Sequence, residues 1–154
     1  MVGQRLSLRA RALSFLSRRE HSRAELAAKL LSHTDDPDAL TRLLDDFEQR
    51  GWLSEKRFVE QTVNTLGRKF GVRRITHTLR TKGISDESIA AAMPYLTDNE
   101  LGTARKVLNR KYPTAPTSKE ERAKQMRFLK SRGFDYDVIR KALCQDQDQD
   151  EIDS

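Results

Sequence analysis

One pattern in this chain occurs twice, fifty residues apart, and it restricts the fold more than any other feature. Leu79-x-x-Lys82-Gly83-Ile84 returns as Leu129-x-x-Arg132-Gly133-Phe134, and at the same offset Ile89, Ala92 and Met93 return as Ile139, Ala142 and Leu143. A basic-Gly-apolar triplet alone is weak, because Gly after the last helical residue followed by an apolar residue is a general helix stop. The triplet occurs once more as Arg50-Gly51-Trp52, after the third helix of its group. The longer alignment around the other two copies argues for duplication of a small helical unit.

The apolar spacing is helical throughout, with no sustained alternation that would indicate strands. Leu8, Ala12, Phe15 and Leu16 form one stripe; Leu26, Ala27 and Leu30 form the next, opened by the Ser22–Glu25 capping box. Asp36-Pro37 reads as a cap and first helical position, leading into Leu40, Leu43, Leu44 and Phe47. A second group carries Val59, Val63, Leu66 and Phe70, then Val72, Ile75 and Leu79, then Ile89, Ala92 and Met93 after Ser85. A third is expected to open with Thr97 and Glu100 as a capping box before Leu101, Ala104 and Leu108, and Ser118–Glu121 opens its second helix. Its last helix carries Ile139, Ala142 and Leu143, with Cys144 expected to be a small, partly buried residue at its end.

The spacing therefore predicts an all-α fold of nine helices in three tandem three-helix bundles, helix-turn-helix-like. The expected boundaries are 1–52, 53–96 and 97–144, with an acidic tail over 145–154. A unit of ~45 residues buries too little surface to be stable alone, so tandem units must share boundaries. That implies an elongated, curved array. Trp52, Phe58, Phe128 and Phe134 are expected to pack between the repeats.

Charge narrows the function. There are 29 Lys and Arg against 23 Asp and Glu. Five of those acids (Asp146, Asp148, Asp150, Glu151 and Asp153) lie in the last ten residues, so 29 basic residues otherwise face 18 acidic ones. A surplus of that size favours a polyanionic partner. The single cysteine excludes an intramolecular disulfide, and no apolar run is long enough for a signal peptide or a membrane span. The chain is expected to be cytoplasmic and monomeric, with no membrane partner. No phosphate loop, dinucleotide fingerprint, nucleophile elbow or zinc-ligand spacing occurs, so neither catalysis nor a cofactor is expected. His33 stands near Asp35, Asp36 and Asp38, a cluster better read as a solvated interhelical loop than as a metal site.

The basic residues carry more information. At 100° per residue, Val72, Ile75 and Leu79 fall within ~60° of one another. Arg73, His77 and Arg80 lie on the opposite face, with Arg74 at its flank. Arg68, Lys69 and Lys82 bracket the same helix, and no acid occurs between Arg68 and Lys82. In the third unit, Lys124, Arg127, Lys130 and Arg132 form the corresponding set, with Glu120 and Glu121 at the helix start, where the dipole favours them. These ten cations are the candidate contact surface.

Four stretches, read together, resemble the RecX family, bacterial regulators of the RecA recombinase. They are Leu16-Ser-Arg-Arg-Glu-His-Ser-Arg-Ala-Glu-Leu26; Gly51-Trp-Leu-Ser-Glu-Lys-Arg-Phe58; Arg73-Arg-Ile running on to Leu79 and Lys82-Gly83-Ile84; and Arg127-Phe-Leu-Lys-Ser-Arg-Gly-Phe134. They occur in order across all three units. The chain departs from the family at Lys69-Phe70-Gly71-Val72, where Gly-Tyr-Gly-Pro is frequent, at Thr78 in place of Glu, and at Ser54-Glu55 in place of two Asp. The resemblance implies three three-helix repeats and a non-catalytic protein bound in the groove of the RecA–DNA filament. There it restrains filament extension, ATP hydrolysis, strand exchange and the coprotease activity of the damage response. Direct binding to single- or double-stranded DNA, as in helix-turn-helix proteins, is the alternative.

Overall fold

The computed structural model describes residues 6–144, and among them every regular element is helical. The order is α1 (Leu8–Arg18), α2 (Arg23–Leu30) with a 3-10 turn over Leu31–His33, α3 (Pro37–Gln49), α4 (Glu55–Leu66), α5 (Val72–Thr81), α6 (Asp86–Lys111), α7 (Lys119–Ser131) and α8 (Tyr136–Leu143). The acidic tail expected over 145–154 lies outside the described residues.

The helix starts follow local chemistry. Ser7, Ser22, Asp36, Ser54, Ser85 and Ser118 each accept a hydrogen bond from a backbone N–H in the first turn. The boxes are not all reciprocal, however. Glu25 turns away from Ser22 toward Arg19 and Lys82, while Glu121 accepts from the N–H and hydroxyl of Thr117.

Three disjoint cores form. Leu26, Leu30, Leu44 and Phe47 centre the first, Val63, Ile75, Leu79 and Ile89 the second, and Ala104, Leu129, Phe134 and Ile139 the third. Among the described residues eight α-helices build them, not nine, because α6 runs unbroken through the expected division at 96/97. Thr97 caps nothing: its hydroxyl donates to the carbonyls of Met93 (3.0 Å) and Pro94 (3.2 Å) within the helix. Pro94 removes one N–H from the ladder. The helix carries on because its two halves are held by different cores, Ile89 and Leu96 in the second and Ala104 and Leu108 in the third.

The four aromatics expected at the joints pack within their own repeats. Trp52 stands edge-on to Phe47 at 5.4 Å, flanked by Arg9 and Arg50. Phe58 and Phe134 are core residues, and Phe128 meets Tyr112 edge-on at 5.6 Å. A three-helix unit has so little apolar area that its aromatics are worth most inside it.

Glycine turns and ion pairs make the joints instead, and the duplicated triplets provide them. Gly83, at φ +78°, lies against Ala24 at the start of α2, while Lys82 reaches Glu25 at 2.9 Å. Arg57 adds Glu20 at 2.9 Å and the Gly51 carbonyl at 2.6 Å. One repeat further on, Gly133, at φ +89°, lies against Arg74 near the start of α5. The Gly71 N–H donates to the Arg132 carbonyl (2.8 Å), the Arg73 N–H donates to the Gly133 carbonyl (3.2 Å), and Arg73 pairs with Asp135 (3.2 Å). In both joints, the basic-Gly turn of one repeat docks on the start of the second helix of the repeat before it.

Glu25 is the most strongly held carboxylate at the first joint. Its side chain is 7% exposed, and the bidentate Arg19 guanidinium, aided by Lys82, draws its pKa down to about 2 against the opposing effect of burial. Close by, the buried His21 donates through Nδ1 to the Arg19 carbonyl (3.0 Å) and accepts from Lys29 through Nε2 (2.8 Å). Burial, with the nearby positive charges of Arg19 and Lys29, lowers its pKa and keeps it neutral.

Both groups bind protons more readily when unfolded, so both lose their stabilising effect on acidification. His21 acts first, below its ordinary value near 6.5, and Glu25 follows between 4.5 and about 2. Glu25→Gln is expected to cost about 2 kcal/mol at pH 7, below the full linkage value because both cations can regain water. Thermal melts from pH 7 to pH 2 should show the variant's deficit shrinking from pH 4.5 downward and nearly gone at pH 2; a constant deficit would contradict this account.

Candidate binding surface between the second and third repeats

The cations expected at the surface divide into three sets. Arg80, Lys124, Arg127 and Lys130 are exposed on the outer faces of α5 and α7, and none pairs with a described carboxylate. Lys82 and Arg73 are occupied at the joints by Glu25 and Asp135. Arg68, Lys69, Arg74 and Arg132 converge where the second repeat meets the third.

Phe70 organises this third set. It follows α4 by four residues and is half-buried beside the second core. The Arg74 guanidinium lies 4.2 Å from its ring centroid and that of Arg132 lies 5.6 Å away; Arg132 also lies 5.3 Å from the Phe128 ring. Stacking on aromatic faces fixes the direction of each guanidinium without consuming its charge.

Between the repeats opens a cleft of about 340 Å³, lined by Arg68, Lys69, Val107, Arg110, Lys111, Phe128 and Arg132. Five of these seven residues are cationic and none is acidic. Arg68 and Arg110 also line an adjoining cavity of about 560 Å³ with Lys106, Asn64, Tyr95 and one acid, the buried Glu100, whereas the smaller cleft has none. Cations gathered on low-dielectric walls without counter-charge focus a positive field outward, and fixed guanidinium forks suit phosphate or carboxylate oxygens. No group of three or more His, Cys, Asp or Glu among the described residues could hold a metal ion. Near His33, Asp36 instead caps α3 through the N–H groups of Asp38 and Ala39. Cys144, expected to be partly buried, is exposed.

Lys106, Arg110 and Lys111 were absent from the sequence-based set. A signal for two of them exists: Lys106 and Arg110 are four apart, on the side of α6 away from Ala104 and Leu108.

The three repeats each match a distinct family domain. Residues 9–45 match the first three-helix domain of RecX, residues 54–93 the second and residues 98–143 the third. Regulatory protein RecX from Leptothrix cholodnii is 45% identical over 138 residues, covering 90% of this chain and 88% of that protein. The corresponding protein from Ralstonia nicotianae is 40% identical over 140 residues, covering 91% and 88%. In three dimensions the chain is similar to the crystal structure of RecX from Lactobacillus salivarius, with a TM-score of 0.75 and 23% identity over 94% of this chain and 95% of that one. At that identity the likeness concerns the fold.

Proposed function

Because the chain belongs to the RecX family of regulatory proteins, we propose that it modulates the RecA recombinase, mainly as an inhibitor, by lying in the groove of the RecA–DNA filament. It acts without catalysis of its own, as a cytoplasmic monomer, and restrains filament extension, ATP hydrolysis, strand exchange and coprotease activity. The observation that carries the proposal is the acid-free cationic cleft between the second and third repeats. Arg80, Lys124, Arg127 and Lys130 extend the positive surface along α5 and α7. Modules joined in one chain raise one another's effective concentration, so several weak contacts suffice to hold a filament.

The same lack of counter-charge favours a second reading, direct binding to DNA phosphate. Co-sedimentation with RecA filaments, run beside an ATPase assay and a bare-DNA control, separates the two. The regulator should pellet with filaments, slow ATP hydrolysis and bind bare single or double strands far less well. Equal affinity for bare DNA, without effect on the ATPase, would discard the filament reading. Binding should weaken steeply with salt, by about tenfold or more between 50 and 200 mM, if three or more of these cations make contact.

A further inference from the structure

The cationic cleft between the second and third repeats has a complement in the same chain. Of the ten residues from Gln145 to Ser154, five are acidic (Asp146, Asp148, Asp150, Glu151 and Asp153) and none is basic. The cleft is the reverse: Arg68, Lys69, Arg110, Lys111 and Arg132 line it, and no acid does. Its two remaining residues, Val107 and Phe128, are partly buried, so it also offers apolar surface among its cations. The acidic segment matches that too, since its one apolar residue, Ile152, stands between Glu151 and Asp153. Solubility alone calls for charge and not for an isoleucine.

The fold delivers this segment beside the cleft. Cys144 closes α8 in an extended conformation (φ −70°, ψ 133°) and is exposed. It borders a pocket of about 230 Å³ with Arg105, Tyr112 and Gln125. The Tyr112 ring meets that of Phe128, which lines the cleft. Gln125 stands three residues before Phe128 on α7, ~4.5 Å along the helix axis. The pocket at the end of α8 and the cleft are therefore neighbours, separated by one aromatic pair. An extended chain advances ~3.3 Å per residue, so the step from Cys144 to Asp148 can cover ~13 Å and that to Ser154 ~33 Å. The acids from Asp148 onward are within reach of the cleft.

We infer that residues 145–154 occupy the cationic cleft as an intramolecular polyanion, held by ion pairs and by Ile152 against Val107 and Phe128, and that an external polyanion must displace them. The inference rests on the cleft being the polyanion site proposed above. Tethering gives the segment a high effective concentration there, so contacts too weak to retain a free peptide suffice. The device also serves specificity. A competitor built into the chain penalises every weak polyanion, while a partner that also touches the outer faces of α5 and α7 can still win.

A spin label at Gln149→Cys, in a Cys144→Ser background, reads the contact on the full chain alone. At low salt it should broaden the amides of Arg68 and Lys69, which belong to the second repeat. High salt should restore both signals, as should reversing the cleft with Arg68→Glu, Arg110→Glu and Lys111→Glu. Ile152→Ser, which leaves every charge in place, should restore them in part. Asp146→Asn, Asp148→Asn, Asp150→Asn, Glu151→Gln and Asp153→Asn together should tighten low-salt binding of a short oligothymidylate about tenfold. The inference is overturned if the two amides stay sharp at low salt, if their broadening survives in the reversed cleft or is unchanged by Ile152→Ser, or if neutralising the five acids leaves oligothymidylate binding as it was. Broadening that arises only between a spin-labelled copy and a separate isotope-labelled copy would also overturn it, in favour of contact between molecules. No filament enters these measurements. A chain that shows the expected effects and yet fails to pellet with RecA filaments loses the proposed partner and keeps this inference.

Discussion

Gly71→Ala is expected to lower stability by about 3 kcal/mol or more. A Cβ at Gly71 would stand 2.4 Å from the Gly133 carbonyl oxygen and 2.6 Å from the Phe134 nitrogen, against backbone that cannot rotate away. Relief requires the turn to lift, and lifting breaks the Gly71–Arg132 and Arg73–Gly133 backbone hydrogen bonds together. For a chain of this size the melting midpoint should drop by about 10 °C. Because the three cores are disjoint, the third repeat should then melt apart from the others, giving two calorimetric transitions. Gly102→Ala is the control: it lies inside α6 with nothing within 4 Å of an added Cβ, and should gain about 1 kcal/mol from helix propensity. A single transition at the parental midpoint in Gly71→Ala would show that the close approach of the two repeats does not stabilise the array.

Reversing three cleft charges with Arg68→Glu, Arg110→Glu and Lys111→Glu should weaken filament binding by about 100-fold, taking each reversal as about 1 kcal/mol. All three side chains are exposed and none pairs with a described carboxylate, so the fold and its melting point should be nearly unchanged. Arg73 is a poor choice for such a test, since its reversal would also break the pair with Asp135 and disturb the joint. Arg80→Glu with Lys124→Glu probes the outer faces separately and should have the smaller effect. If co-sedimentation is unchanged in the triple variant, or if the outer pair matters more, the contact surface lies elsewhere.

The two kinds of element that could be read in advance share a physical property: each is decided within a few residues. A serine or aspartate with the right neighbours caps a helix wherever it occurs, as Ser22, Asp36, Ser85 and Ser118 do. A stripe such as Val72, Ile75 and Leu79 buries itself whatever lies opposite. Local rules misled at Thr97 and Glu100, where a capping box is spelled out inside a continuous helix. Extending α6 buries Leu96 in one core and Ala104 in the next, a gain that outweighs a cap and the hydrogen bond missing at Pro94. The acid of that apparent box is instead buried in the middle of α6.

The candidate surface divides the same way. That the chain is basic, helical and threefold repeated follows from residue type, period and the recurrence at fifty residues. Which cations are free and which are held at joints does not, because an ion pair depends on distances between residues far apart in sequence. Lys82 and Arg68 look alike as letters; one is bound to Glu25, 57 residues away, and the other opens onto a cleft. The amino-acid sequence by itself determined three helical repeats with a cationic character, because burial of apolar stripes and local capping are short-range. Only the tertiary structure decided that the repeats meet through glycine turns, that one helix serves two of them, and that the free positive charge collects between the second and third. Each of those outcomes turns on packing across a joint.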